Sequence, residues 1–211
     1  MQIFGSLPPD LITDILNPFS AGRFTGVHIA ALKCLFALGL KNNFKTKEVS
    51  LSLQQLRDLT GLSKPMVIRG IRKLIELGII LKLEQDKTNI VNKYKLVFIE
   101  RRFTKIPYTH LLDRLPDFPN KGVYVLTALK IYLILLQVRE NSSKKITISY
   151  FRFSYYGISR KYVSKALEIL ITNDLISISR DVDENGCFVK SCNNYLIKGL
   201  VLSQPVTSVA N

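Results

Sequence analysis

The chain contains one unit twice. Residues 61–80 align with residues 157–176 at a constant offset of 96 and without a gap, and six of the twenty aligned positions are identical. The Ala-Leu-Lys triplet at 31–33 recurs upstream at 128–130, and the Asn-Lys-Tyr triplet at 92–94 recurs downstream as Asn-Asn-Tyr at 193–195. Three features in the same order predict two small domains of one fold rather than a single large domain.

Each copy has the same predicted order of elements. A strongly apolar first helix (27–40 or 123–138) precedes a short extended stretch (48–52 or 145–149) and a second helix (53–60 or 150–156). Gly61 or Gly157 then permits a left-handed turn, and Ser63 or Ser159 is placed to cap a third helix. Two β-rich runs around a polar turn follow, at 79–84 and 89–99 in the first copy and at 175–180 and 188–197 in the second.

The third helix is two-sided in both copies. Its predicted inner face is apolar and consists of Val67, Ile71, Leu74, Ile75 and Gly78 in the first copy, and of Val163, Leu167, Leu170 and Ile171 in the second. Its predicted outer face consists of Pro65, Arg69, Arg72, Lys73 and Glu76, and in the second copy of Lys161, Lys165 and Glu168. Ile169 stands where the first copy has Lys73, so the two outer faces are not equivalent.

Helix, strand, helix, turn, capped helix and hairpin is the order of a winged helix-turn-helix. The predicted fold class is therefore α+β, mostly α, with two tandem winged helix-turn-helix domains related by the internal repeat. The predicted boundaries are an N-terminal segment at 1–21, copy 1 at 22–100, a basic linker with three prolines at 101–120, copy 2 at 121–199 and a tail at 200–211.

A family resemblance supports this assignment. The segment 51–96 resembles the winged-helix domains of bacterial and phage replication proteins, such as the phage replication protein O and DnaD-type N-terminal domains, and is similar to many small bacterial regulators. The residues that carry it are Leu56, Gly61, Leu62, Ser63, Ile71, Leu74, Gly78, Ile79, Ile80, Asn92, Tyr94 and Leu96. Two such domains in one basic chain are also similar to plasmid replication initiators. Copy 2 departs from the pattern, since its second helix is aromatic at 153–156 and Asp174 replaces the glycine at position 78.

The charge indicates a polyanionic partner. The sequence has 30 Lys and Arg against 16 Asp and Glu, a net charge of +14. Residues 1–100 contribute 14 − 8 = +6 and residues 101–211 contribute 16 − 8 = +8, so the excess belongs to both copies and not to a detachable tail. A DNA duplex and an anionic membrane are the two candidates for such a partner, and on this fold double-stranded DNA is the one expected.

The resemblance implies that the third helix of each copy enters the major groove while the wing contacts the backbone. In copy 1 the predicted DNA-binding residues are Ser63, Lys64, Arg69, Arg72 and Lys73 on the helix and Lys82, Lys87, Asn89 and Lys93 in the wing. In copy 2 they are Ser159, Arg160, Lys161, Tyr162, Ser164 and Lys165 on the helix and Arg180, Lys190, Asn193 and Asn194 in the wing. Arg101 and Arg102 are placed to follow phosphates between the copies, with a solvated linker as the equal alternative.

These features predict a sequence-specific protein that binds double-stranded DNA at an asymmetric bipartite site. It would act as a transcriptional regulator or as an origin-binding replication initiator of a plasmid, phage or other mobile element. The alternative is a tandem winged-helix adaptor of a chromosome-organising or replication complex, which needs no basic face. Other expected partners are a second copy of the chain or a replication or transcription protein, with no membrane and no small-molecule ligand.

We expect no catalysis, cofactor or metal. The two histidines, His28 and His110, have no visible nucleophile or metal partner, and no phosphate-cradling glycine motif occurs. The three cysteines are too few for a disulfide framework and lack a nearby histidine for a zinc set; they are Cys34, Cys187 and Cys192. No secretory signal is visible, and the most apolar stretch, 123–138, is shorter than the roughly 20 residues of a membrane span. We therefore expect a cytoplasmic, nucleoid-associated protein.

Overall fold

The computed structural model describes residues 4–9, 11, 17–83, 91–98, 103–180 and 192–200. Copy 1 and its leading strand contain β1 (Phe4–Leu7), α1 (Thr25–Lys41), β2 (Glu48–Ser52), α2 (Leu53–Thr60), α3 (Lys64–Glu76), β3 (Ile80–Lys82) and β4 (Val91–Leu96). Copy 2 and its leading elements contain β5 (Thr104–Pro107), α4 (Tyr108–Arg114), α5 (Val123–Val138), β6 (Lys145–Ile148), α6 (Arg152–Tyr155), α7 (Arg160–Thr172), β7 (Ile176–Ser179) and β8 (Asn193–Ile197).

Each copy is a winged helix-turn-helix, as predicted. The sheets have the same strand order, β2-β4-β3 in copy 1 and β6-β8-β7 in copy 2, and all pairs are antiparallel. In each, the strand between the first two helices of the unit lies at one edge and the two wing strands complete the sheet. The core of each copy lies between its sheet, its apolar first helix and its third helix.

The turn before α3 follows the sequence closely. Ser52 and Gln55 form a reciprocal capping box at the start of α2, and Gly61 ends that helix in the left-handed region with φ 62°. Gly157 has φ 71° at the corresponding turn of copy 2. Ser63 and Ser159 do occupy the caps of α3 and α7, but neither hydroxyl accepts a helix hydrogen bond, so that part of the capping prediction is wrong.

Copy 2 departs from copy 1 at two places. Its second helix is the single turn Arg152–Tyr155 instead of the predicted 150–156, because the backbone bonds at its ends, from Arg152 N–H to the Ser149 carbonyl oxygen and from Tyr156 N–H to the Phe153 carbonyl oxygen, span three residues and close tight turns. Asp174 takes the left-handed conformation that Gly78 has in copy 1, with φ 60° against 68°. Lys198 donates to the Asp174 carboxylate, and Arg114 lies 3.4 Å from it. These cations lower the pKa of Asp174, and they hold a residue whose side chain would otherwise disfavour this turn.

The segment 101–120 is not a bare connection, which corrects the prediction of a linker. Thr104–Pro107 forms β5, which pairs antiparallel with β1 near the start of the chain, and α4 follows directly. In this two-stranded sheet Ser6 lies opposite Lys105, flanked by the pairs Gly5/Ile106 and Leu7/Thr104. Arg101 and Arg102 lie outside the described residues, as do the wing turns at 85–88 and 183–186.

The two copies meet through their first helices, and the contacts are reciprocal. Lys33 of α1 donates from Nζ to the carbonyl oxygen of Phe118, at 2.7 Å, just before α5. Lys130 of α5 donates from Nζ to the carbonyl oxygen of Phe19, at 2.9 Å, just before α1. Both lysines belong to the repeated Ala-Leu-Lys triplet and both are buried.

The helix-turn-helix turns repeat this reciprocity. Gly61 packs against the backbone of Pro116, while Gly157 approaches Asn17. At an offset of 99 the segments before the first helices also correspond, since Pro8 matches Pro107 and Phe19 matches Phe118. Each copy thus makes with the other the same contacts that the other makes with it, and such reciprocal contacts define a two-fold relation. The chain is therefore built like a symmetric dimer joined covalently, and α1 and α5 bury their apolar faces within the chain, partly against each other.

Candidate nucleic-acid interface

Close packing against α1 fixes the orientation of α3. A Cβ on Gly70 would lie 2.8 Å from the backbone carbon of Ala30, so the two helices approach as closely as glycine allows. Val67, Ile71 and Leu74 are buried on this side, as predicted. Ile75 and Gly78 are exposed instead, because Gly70 and not Gly78 faces α1. The opposite face of α3 is thereby held toward solvent.

That opposite face is basic. Lys64, Arg69 and Arg72 are exposed, and Lys73 is half-buried with Nζ 3.4 Å from a Glu76 carboxylate oxygen. Among the described residues, the guanidinium groups of Arg69 and Arg72 have no hydrogen-bond or ion-pair partner. The structure thus brings Arg69, Arg72 and Lys73 together, whereas Ser63 and Lys64 are exposed at the first turn of the helix, outside that group.

A cleft of about 490 Å³ opens beside this face, between α3 and the start of α1. Arg69, Arg72 and Lys73 line it from α3, and Arg23 and Phe24 line it from the turn before α1. His28 forms its inner wall, where the ring stacks on Phe19 and Nδ1 lies 3.0 Å from the Ser20 carbonyl oxygen. Burial, and then the positive charges of Lys73 and Lys130, lower the pKa of His28, so near neutral pH the charge of the cleft comes from the arginines and the lysine.

The outer face of α7 carries less free charge. Arg160, Lys161, Ser164 and Lys165 are exposed and Tyr162 is half-buried. The Lys165 ammonium lies 3.0 Å from the Glu168 carboxylate, which offsets its charge. The Arg160 guanidinium lies 5.3 Å from the centre of the Phe151 ring, and Lys161 Nζ lies 4.9 Å from that of Tyr162. Ile171 is exposed, which corrects its predicted place on the inner face.

The predicted wing residues differ in their exposure to solvent. Lys82 and Lys93 are exposed on β3 and β4. Asn193 and Asn194 are buried, and we withdraw them from the predicted contacts because their side chains are used inside the protein. Asn193 Oδ1 accepts from Arg180 Nε at 3.0 Å, and Asn194 Oδ1 accepts from the Thr147 hydroxyl at 2.7 Å. The remaining wing candidates, Lys87, Asn89 and Lys190, lie outside the described residues.

Two surface features escaped the sequence analysis. Arg23 and Phe24 were not assigned a role, although a basic and an aromatic residue just before a helix start are a usable signal. An aromatic patch made of Tyr150, Phe151 and Tyr155 lies beside the start of α7, with Tyr155 74% and Phe151 50% exposed. The rings of Phe151 and Tyr155 meet edge to face at 5.2 Å. The signal for this patch was the departure of copy 2 from the polar second helix of copy 1.

The described cysteines and histidines do not form a metal-binding cluster. Cys34 is buried, which raises the pKa of its thiol to about 12, Cys192 is half-buried, and Cys187 lies outside the described residues. In the part of the chain that the structure describes, no group of three metal-ligating side chains occurs. There too, no helix has the length and apolarity required to cross a bilayer.

Comparisons with known proteins find little that resembles this chain. No protein-family model matches the chain, and no curated protein matches it. A crystal structure described as subunit VPS25 of the endosomal trafficking complex ESCRT-II is similar over 92% of this chain and 99% of that chain, with 14% sequence identity and a TM-score of 0.24. A likeness this distant says nothing about what this chain binds.

Proposed function

We propose that the chain binds double-stranded DNA without catalysing a reaction, with α3 and α7 as its two reading helices. The observation that carries the proposal is the pair of guanidinium groups of Arg69 and Arg72, which no described acid neutralises, on a helix face that Gly70 and α1 hold outward. Arginine at such a face suits both bidentate contact with guanine and contact with phosphate. A net charge of +14 distributed over both copies supports the same partner.

The two-fold relation between the copies predicts how the half-sites of the DNA target are arranged. Because the copies are related like the halves of a symmetric dimer, their reading helices suit two half-sites in inverted orientation. Because the outer faces of α3 and α7 differ, the half-sites are proposed to differ in sequence. A regulator of transcription and an origin-binding initiator of a mobile element would both use such a site.

The test of DNA binding is a charge reversal with a matched control. Duplex affinity of the full chain is measured as a function of salt for Arg69→Glu/Arg72→Glu and for Lys45→Glu/Lys144→Glu, which changes the net charge equally in loops away from the reading helices. Removal of one phosphate contact should flatten the log–log salt dependence by about 0.9. We expect a weaker, flatter dependence for the α3 variant only. Equal effects in both variants would mean that the affinity depends on the net charge of the protein and not on the α3 face.

A second candidate function is that of a protein-binding adaptor. The aromatic patch of copy 2 favours it, because exposed rings flanked by Arg152 and Arg160 are typical of interface anchors. The fitting occupant is a protein surface with acidic side chains around an apolar pocket. Two measurements separate the candidates. An adaptor would bind no duplex, and Phe151→Ser/Tyr155→Ser would abolish its binding to an acidic protein partner. A DNA-binding protein would bind a duplex, and this variant would retain that affinity.

A further inference from the structure

The cleft beside α3 concentrates positive charge to an unusual degree. Among the described residues, four cations line it, Arg23, Arg69, Arg72 and Lys73, against one acid, Glu76, so these side chains sum to 4 − 1 = +3. That acid is engaged with Lys73. Like charges gathered in excess of counter-charges disfavour the folded state. An arrangement of this kind is favourable when an anion occupies it.

The corresponding positions of copy 2 are occupied differently. Tyr124 stands where α1 has Val27, and Tyr162 stands where α3 has Met66. Their rings meet edge to face between α5 and α7, with 5.6 Å between centres. Two of the cations are also missing there, because Glu168 and Ile169 replace Arg72 and Lys73. The set of cations around this cleft is therefore particular to copy 1 and is not a by-product of the repeated fold.

The cleft offers two kinds of recognition. Guanidinium groups bind phosphate oxygens through paired hydrogen bonds, which a lysine cannot reproduce. The Phe24 ring is 60% exposed at the rim and presents a flat apolar surface next to Arg23. A volume of about 490 Å³ is larger than a lone phosphate needs and falls within the roughly 300 to 1,000 Å³ of small-molecule sites.

We propose that this cleft binds a phosphate ester carried on a nucleoside, with Arg23, Arg69 and Arg72 on the phosphate and Phe24 against the base. The nucleotide has two possible sources, a free mononucleotide or a nucleotide of the bound DNA strand. The first is independent of the proposed function, and the second rests on it. A free nucleotide would occupy the same arginines that α3 offers to a duplex, and would therefore compete with DNA.

The first arm of the experiment uses small probes. Binding of AMP, inorganic phosphate and adenosine to the full chain is measured by calorimetry. For a free nucleotide we expect AMP to bind more tightly than phosphate, adenosine not to bind, and AMP to displace a duplex. Arg23→Gln should weaken AMP binding roughly tenfold or more, and Phe24→Ala should weaken AMP binding while leaving phosphate binding unchanged. Lys45→Gln, which removes a cation from an exposed loop away from both reading helices, is the matched control and should change neither.

The second arm uses DNA. If the ligand is a nucleotide of the bound strand, AMP does not bind, but Arg23→Gln lowers duplex affinity and flattens the log–log salt dependence by about 0.9. The proposal is overturned if Arg23→Gln alters neither AMP nor duplex binding while thermal melting shows the variant folded. That result leaves the DNA-binding proposal intact, since Arg23 lies outside α3. Failure of the unaltered chain to bind any duplex would instead remove the proposed function and leave the AMP arm standing.

Discussion

The same site looks different in the two copies. In copy 1 the space between the first and third helices is open and basic, and Arg69 and Arg72 have no acidic partner among the described residues. In copy 2 the rings of Tyr124 and Tyr162 meet edge to face at the corresponding positions, and Lys165 is paired with Glu168. The scaffold around both sites is nevertheless the same, down to the buried lysine in each first helix. The two copies thus share residues that hold the two-fold interface and differ in residues that face solvent.

The largest expected effect is a difference in stability between glycine variants at the helix-turn-helix turns of the two copies. A Cβ on Gly61 would lie 1.9 Å from the Pro116 carbonyl oxygen, whereas one on Gly157 would meet only Asn17 Oδ1 at 3.9 Å. Left-handed strain costs about 1 to 2 kcal/mol in either case, and the collision at Gly61 adds roughly 1 to 3 kcal/mol. Chemical denaturation should show Gly61→Ala to be less stable than Gly157→Ala by that second amount. Equal destabilisation would mean that the turn of copy 1 is not held against the segment before α5.

The next effect compares the reading helices. Reversing Arg69 and Arg72 removes free charge, whereas reversing Lys161 and Lys165 removes charge that Glu168 already offsets in part. We expect duplex affinity to fall roughly a hundredfold for the first pair and about tenfold for the second at moderate salt. Fluorescence anisotropy with one long duplex measures both. A larger decrease for the copy 2 variant would reverse the proposed ranking of the two helices.

The smallest effect tests whether the interface is symmetric in energy as well as in shape. Burial lowers the pKa of Lys33 and of Lys130 to about 8, against 10.5 in the unfolded chain. Between these values the unfolded chain binds more protons, so stability rises with pH. From pH 7.5 to 9.5 each lysine should add roughly 1 to 2 kcal/mol to the free energy of unfolding.

Two variants divide that pH dependence between the copies. Lys33→Met and Lys130→Met should each remove about half of the rise, whatever they do to the absolute stability. All chains carry Cys34→Ala, because the thiol of Cys34 has its pKa raised to about 12 by burial and would oppose the rise above its unfolded value, which lies within this pH range. The measurement also stays below about pH 10, because the folded-state pKa of Tyr94 is raised to about 12 and its effect runs in the same opposing direction above its unfolded value. If one variant removed the whole rise in stability, the two lysines would contribute unequally, and the interface would be two-fold in geometry but not in energy.

Much of each copy could be predicted from local sequence. The bounds of β2 and α5 agree with those predicted, and the outward direction of Arg69 and Arg72 followed from helical periodicity. These features depend on spacing within one element, which the sequence records directly. The prediction was wrong where a side chain's partner is distant, as for Asn194, which Thr147 engages from a neighbouring strand.

The pairing of β1 with β5 could not be predicted from local sequence patterns. Two four-residue strands separated by about a hundred residues carry no periodicity that specifies a partner or a register. The correspondence of Pro8 with Pro107 and of Phe19 with Phe118 was present in the sequence, but its offset of 99 differs from the 96 of the main repeat. Insertions of this kind hide a repeat from an ungapped comparison.

The sequence by itself determined that there are two winged-helix units, that both are basic, and that their third helices differ on the outer face. Those properties follow from composition and from the spacing of apolar residues within single elements. Only the tertiary structure decided that the units are joined face to face through Lys33 and Lys130, and that Arg23 and Phe24 meet the arginines of α3 across a cleft. Such contacts join residues far apart in the chain, and their energies depend on packing in three dimensions, which no local pattern encodes.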